Sequence, residues 1–104
     1  MIRRFLIVLC LLFAAQAQAS TYWVSKSGNN GNPCFASATQ PTLATQSKLT
    51  ITAGAACLSG GDTLTVLTGT YNETLQNLFP SGSAGAPTTL QRNGTDVVTV
   101  TPTA

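Results

Sequence analysis

Apolar and polar residues alternate in short stretches of the chain, and this alternation predicts β-strands. In residues 62–68, Leu64 and Val66 fall on one face of an extended chain and threonines fall on the other. The β-prone residues at 21–25 predict a further strand near the start of the chain. The predicted strands are 21–25, 62–68, 88–92 and 96–101.

The segment between the first two predicted strands is rich in turn signals and contains one candidate helix. The sequence GNNGNP at 28–33 predicts turns, and 35–47 is predicted to be an irregular loop. Residues 48–58 carry apolar side chains at the i, i+4 and i+7 positions of one helical face, which predicts a short helix. The sequence GTYN at 69–72 is predicted to turn the chain.

The spacing of the strands bears on the architecture. The centres of 64–66 and 89–91 lie about 25 residues apart, which is one turn of a β-solenoid. A small antiparallel sandwich is the alternative, since the dipeptide Asn93-Gly94 suits a hairpin turn. The spacing leaves both architectures open.

The first 19 residues have the pattern of a secretory signal peptide. Arg3 and Arg4 precede an apolar run at 5–15, and small residues follow it. We expect cleavage between Ala19 and Ser20; an uncleaved membrane anchor is the alternative. The apolar stretches beyond this leader are too short to span a bilayer, so we expect no membrane association after cleavage.

Removal of the leader changes the charge of the chain. The formal charge of +2 includes two arginines of the leader, and the remaining side chains carry three positive and three negative charges. Electrostatic capture of nucleic acid is therefore not expected. The chain contains no histidine, which excludes histidine-dependent catalytic triads and histidine-ligated metal sites within it.

Two of the three cysteines, Cys34 and Cys57, lie beyond the leader. In an exported chain such a pair is typical of a disulfide rather than a metal site, and two independent buried thiols are the alternative. A loop of about 22 residues closed by a disulfide would add roughly 3 kcal/mol to stability.

Three blocks of sequence resemble the start of secreted right-handed parallel β-helix proteins of the pectate-lyase-like group. The blocks are YWVSKSGNN at 22–30, CLSGGDTL at 57–64 with GTYNE at 69–73, and PSGS at 80–83 with APTTL at 86–90. The resemblance implies an all-β fold: an N-terminal capping strand and short helix, followed by the first coil or so of a right-handed parallel β-helix. The expected organisation is a signal peptide at 1–19 and an incomplete β-helix domain at 20–104.

Within this interpretation, three residues are predicted to shape structural turns. Gly61 would supply an unusual φ between helix and strand, Asp62 would bind backbone amides at that corner, and Gly69 would allow a sharp turn between sheets. A catalytic or metal-binding role is the alternative for Asp62. Glu73 is predicted to be an exposed turn residue rather than a catalytic acid.

Three aromatic residues are candidates for a sugar-facing surface: Tyr22, Trp23 and Tyr71. Packing in the core or cap is the alternative for them. The three acidic residues beyond the leader share no local motif, so paired carboxylates for glycoside hydrolysis are not expected, and we assign no catalytic residue. They also form no acidic cluster of the kind that calcium requires, so no cofactor is expected within this chain. The resemblance implies that calcium, where members of the group use it, is bound on later coils of a full-length parent.

A parallel β-helix needs at least three stacked repeats, and this chain supplies little more than one. We therefore expect it to be the N-terminal piece of a longer secreted protein. The expected role is a capping segment of a polysaccharide-directed lyase or hydrolase whose catalytic face lies beyond this chain. A structural or adhesive surface protein is the first alternative, and a free-standing carbohydrate-binding module is a weaker one.

Overall fold

The computed structural model describes residues 19–103. Apart from Ala19, the predicted signal peptide lies outside the described residues, and so does Cys10. The described elements run in the order β1 (Thr21–Val24), α1 (Leu43–Gln46), α2 (Ile51–Ala55), β2 (Thr63–Val66), β3 (Gly69–Tyr71), β4 (Thr89–Arg92) and β5 (Val98–Val100).

The strands form two short parallel sheets. One sheet has the order β1-β2-β4, and the other pairs β3 with β5. Neighbouring strands are aligned so that Tyr22, Leu64 and Leu90 form one row across the larger sheet. Every pairing between named strands is parallel, which rules out the antiparallel sandwich. Asn93-Gly94 does not close a hairpin, because the strands on either side of it belong to different sheets.

The core lies between the two sheets and α2. Its buried side chains belong to strands of both sheets and to one face of the helix: Val24, Ile51, Ala55, Leu64, Val66 and Tyr71. β2 is the central strand of the larger sheet, since β1 and β4 pair with its two edges, and it also contacts α2. Leu64 and Val66 lie on the face of β2 that enters the core.

The prediction of a right-handed parallel β-helix is wrong. The described residues form a small domain with open sheets of three and two strands and two short helices, and they contain no closed or solenoid sheet. The chain between β1 and β2 contains helices instead of a strand of the second sheet. Only twice does a strand of the larger sheet precede a strand of the smaller one directly along the chain, as β2 precedes β3 and β4 precedes β5. A repeating coil requires at least three such units.

No helix among residues 19–103 is long and apolar enough to cross a membrane.

Candidate functional site

The two edges of the larger sheet differ in their hydrogen bonding. At the β1 edge, Ser25 N donates to Lys48 O at 2.9 Å, Lys48 N donates to Trp23 O at 3.0 Å, and Ser37 N donates to Thr21 O at 2.9 Å. The segment between β1 and α2 therefore covers this edge. At the opposite edge lies β4, and no strand of the described chain pairs with its outer side.

Polar side chains hold the covering segment in place. The Asn30 side-chain oxygen accepts hydrogen bonds from the backbone amides of Leu49 (2.8 Å) and Thr50 (3.1 Å), and the ammonium group of Lys48 donates to the carbonyl oxygens of Asn30 and Asn32. These bonds pair backbone groups in a region without regular secondary structure.

The Cys34–Cys57 disulfide adds a covalent link between the covering segment and the end of α2. The two Cα atoms are 5.6 Å apart. The pairing is the one predicted from the sequence. A disulfide is typical of proteins that fold outside the reducing cytoplasm.

An apolar cleft of about 150 Å³ opens beside the uncovered edge. It lies between the ends of the two sheets, and its lining is mostly aliphatic: Ile51, Val66, Leu90, Gln91, Arg92, Val98 and Val100. Leu90 is 43% exposed although its neighbour in the same row, Leu64, is fully buried. Val100 is 37% exposed, while Tyr71 beside it in β3 is fully buried. The core therefore reaches the surface at this end of the molecule.

Backbone groups at the same edge face outward. On the side that faces β2, Thr89 N donates to Asp62 O at 3.0 Å and Asn93 N donates to Val66 O at 2.9 Å. Because alternate residues of a strand point their N–H and C=O groups to opposite sides, the backbone groups of Leu90 and Arg92 point away from β2. Such a row can accept a further strand.

Each acidic side chain of the described chain binds backbone amides. Asp62 accepts from Ser20 N at 2.9 Å and from Ser59 N at 2.8 Å, and Asp96 accepts from Thr68 N at 3.1 Å. No group of three His, Cys, Asp or Glu side chains within residues 19–103 could hold a metal ion.

Glu73 has a structural role that sequence reasoning missed. One carboxylate oxygen accepts from Ile51 N and the other from Thr52 N, both at 2.8 Å, and the latter also accepts from the Thr52 hydroxyl at 2.7 Å. These amides belong to the first turn of α2, where backbone donors lack partners within the helix. The carboxylate lies 21 or 22 residues away in the sequence, so no local pattern points to this contact.

The predicted turn residues lie at corners of the chain. Gly61 has a φ of +93° and Gly69 a φ of +149°, both in the region that favours glycine. Asp62 is 7% exposed and follows Gly61 directly. Its carboxylate joins the start of β1 to the turn before β2.

The three aromatic candidates do not share an exposed surface. Tyr71 is fully buried and donates its hydroxyl hydrogen to Leu67 O at 2.9 Å, and Trp23 is buried with its indole N–H bound to Ser37 O at 2.8 Å. Tyr22 is half-buried and packs against the core. The rings of Trp23 and Tyr71 are therefore not available to stack on a sugar.

Tyr71 is also the titratable group that its surroundings perturb most clearly. Burial raises its pKa to about 12, and the negative charges of Glu73 and Asp96 add to the effect. The Lys26 ammonium lies 4.7 Å from the centre of the ring. The phenol is therefore a neutral hydrogen-bond donor at physiological pH.

Comparison of the chain with protein-family models, curated proteins and solved structures finds no match.

Proposed function

We propose that this chain is a non-catalytic capping module of an exported protein. It closes one edge of a parallel sheet with a disulfide-linked segment and offers the opposite edge to further strands. The difference between the two edges carries the proposal: β1 is covered by hydrogen bonds to Ser37 and Lys48, whereas β4 borders an apolar cleft.

The order of the strands supports one proposed occupant of the open edge. Within each sheet, strands that lie farther from the covered edge come later in the chain, since β4 follows β2 and β5 follows β3. A strand added beyond β4 would continue this order if it followed β5 in sequence. We therefore propose that the occupant is polypeptide following this segment in a longer form of the chain, with apolar side chains that cover Leu90 and Val100.

For the protein that contains this module we propose a polysaccharide-directed role. This part of the proposal is supported by the resemblance of the three sequence blocks alone. The described acidic side chains are used as backbone acceptors, so we expect the chain by itself to release no unsaturated product from polygalacturonate, followed by ultraviolet absorbance.

Hydrogen exchange tests the capping role. The amides of Leu90 and Arg92 would be compared in this chain and in the proposed longer form of the chain. A strand paired with β4 should slow their exchange by about tenfold or more, because opening the pair then requires local unfolding. Equal exchange rates in the two chains would overturn the proposal.

A pair of substitutions provides a matched control. Leu90→Lys places a charge in the cleft, whereas Val97→Lys changes a residue that is 71% exposed and outside it. In the longer chain Leu90→Lys should lower the urea midpoint clearly more than Val97→Lys, since an added strand would bury the lysine. If Leu90→Lys instead only abolishes self-association of the short chain, the edge pairs with a second copy and the proposed occupant is wrong.

A further inference from the structure

The residue after the predicted cleavage site lies against a nearly buried carboxylate. Ser20 N donates to Asp62 Oδ1 at 2.9 Å, and Ser20 O accepts from Thr63 N at 2.9 Å. Asp62 Oδ2 is bound by Ser59 N at 2.8 Å, and the side chain is 7% exposed. The first atom of a chain that begins at Ser20 would thus be in direct contact with Asp62.

The side-chain cations of the described chain lie elsewhere. Lys26 is placed over the ring of Tyr71, Lys48 binds carbonyl oxygens, and Arg92 lines the apolar cleft. Within residues 19–103 the hydrogen bonds to the Asp62 carboxylate come from backbone amides. A charged nitrogen in place of one of these neutral donors would form a shorter and stronger hydrogen bond to the carboxylate.

We propose that the bond between Ala19 and Ser20 is a processing site, and that the α-ammonium group it releases forms an ion pair with Asp62. A host leader peptidase would hydrolyse the C–N bond with one water molecule. The Ala19 carbonyl carbon gains the hydroxyl and becomes a carboxylate, and the Ser20 nitrogen gains the protons and becomes an ammonium. Small residues stand one and three positions before the bond, at Ala19 and Ala17, as such peptidases require.

This ion pair would make leader removal a step that completes the fold. Before cleavage Ser20 offers one amide hydrogen to Asp62; afterwards the same nitrogen offers a charged donor, which forms a shorter and stronger hydrogen bond. The pair ties the first strand to the turn before β2, a position where the structure already places the nitrogen within hydrogen-bond distance. The inference is independent of the proposed capping role.

The pair also predicts a dependence on pH. An α-amino group has an ordinary pKa of about 7.7–8.0, and a carboxylate partner raises it. The stabilisation is therefore complete below about pH 8 and is lost as pH rises through the raised pKa. The titratable side chains that line the cleft at Ser20 are those of Asp62 and Tyr22.

The test uses the full chain produced in a secreting host. Intact mass and N-terminal sequencing should give a chain that begins at Ser20. The rate at which its α-amine is acylated should then be measured against pH in the folded chain and in urea. A rise of one pKa unit predicts about tenfold slower acylation at pH 7 in the folded chain.

Two variants separate the ion pair from other effects. Asp62→Asn should return the acylation profile of the α-amine toward that of the unfolded chain, whereas Asp96→Asn removes a different backbone-binding carboxylate and should leave it unchanged. If Asp62→Asn does not fold, the profile of the wild-type amine decides alone. A start at another residue, a retained leader, or a wild-type α-amine pKa of about 7.7–8.0 would each overturn the inference.

Discussion

Tyr71 shows how one side chain links the core to the chain around it. Its ring packs among the aliphatic residues between the sheets, and its hydroxyl binds the carbonyl oxygen of Leu67 at 2.9 Å. A buried phenol needs such a partner, because an unsatisfied hydroxyl would lose its bonds to water without replacement. The same burial, with Glu73 and Asp96 nearby, opposes ionisation and raises the pKa to about 12.

We predict that Tyr71 couples stability to alkaline pH. Its pKa is about 12 in the folded chain and 10.0 without the fold. The unfolded chain therefore loses this proton first, and the fold loses stability as pH rises from 10 toward 12. The absorbance change of tyrosinate near 295 nm, measured with circular dichroism at each pH, should show a late step near pH 12.

Tyr71→Phe should remove that step and cost about 0.5–1.5 kcal/mol through the lost hydrogen bond to Leu67. Tyr22→Phe is the matched control and should keep the step. If Tyr71→Phe leaves the alkaline titration unchanged, the buried phenol is not its origin.

At the scale of the elements, local patterns predicted strands better than helices. Alternation over 62–68 and 96–101 is a local signal, and the structure has strands at Thr63–Val66 and Val98–Val100. Residues 69–72 were predicted as a turn, but Gly69–Tyr71 form β3. This strand exists because it pairs with Val98–Val100, a partner that lies too far along the chain for a local pattern to show.

The helices depend even more on contacts distant in sequence. The predicted helix at 48–58 is limited to Ile51–Ala55, because the Thr50 side chain accepts from Ala53 N and ends the extended chain there. The Glu73 carboxylate then accepts hydrogen bonds from the backbone amides in the first turn of this helix. The segment Leu43–Gln46 is predicted to be a loop, but it forms the short helix α1. None of its residues is buried, so its sequence carries no apolar periodicity that would predict a helix.

Gly54 allows α2 to lie close to the larger sheet. A Cβ atom at this position would be 2.5 Å from Val24 Cγ2 and 2.9 Å from Leu64 Cδ1, both in the core. We predict that Gly54→Ala destabilises the fold. Alanine improves helix propensity by about 1 kcal/mol, but overpacking a core costs about 1–3 kcal/mol, so the clash outweighs the propensity.

Urea denaturation of Gly54→Ala should show a lower midpoint than the wild-type chain. Gly85→Ala is the matched control, since a Cβ there has no atom within 4 Å, and it should change stability by less than about 0.5 kcal/mol. A higher midpoint for Gly54→Ala would mean that helix propensity dominates and that α2 does not press on the sheet.

At the scale of the whole molecule, the two edges of the larger sheet differ: the β1 edge is covered and the β4 edge is open. The strand spacing of about 25 residues is compatible with the parallel pairing of β2 and β4, but spacing carries no information on how many coils follow or on what fills the connections. That is why the β-helix prediction was wrong. The connection after β1 covers the sheet edge, and both the Asn30 side chain and the disulfide link it to the α2 region.

We predict that the Cys34–Cys57 disulfide supplies a large part of the stability of the fold. Closing a loop of about 22 residues restricts the unfolded chain and stabilises the folded one by roughly 3 kcal/mol. A domain of this size has a net stability of only about 5–15 kcal/mol, so reduction should lower the urea midpoint markedly. The measurement is a pair of urea titrations of the same chain, one with a reductant and one without it.

The double variant Cys34→Ala/Cys57→Ala should behave like the reduced chain and be insensitive to reductant. Reduction should also expose the β1 edge, because the segment around Cys34 is then anchored by hydrogen bonds alone. The amides of Ser25 and Lys48, which bond across that edge, should exchange faster with solvent than those of β2, which is covered on both sides. Uniform acceleration across both strands would mean that the disulfide stabilises the molecule as a whole without a special role at the covered edge.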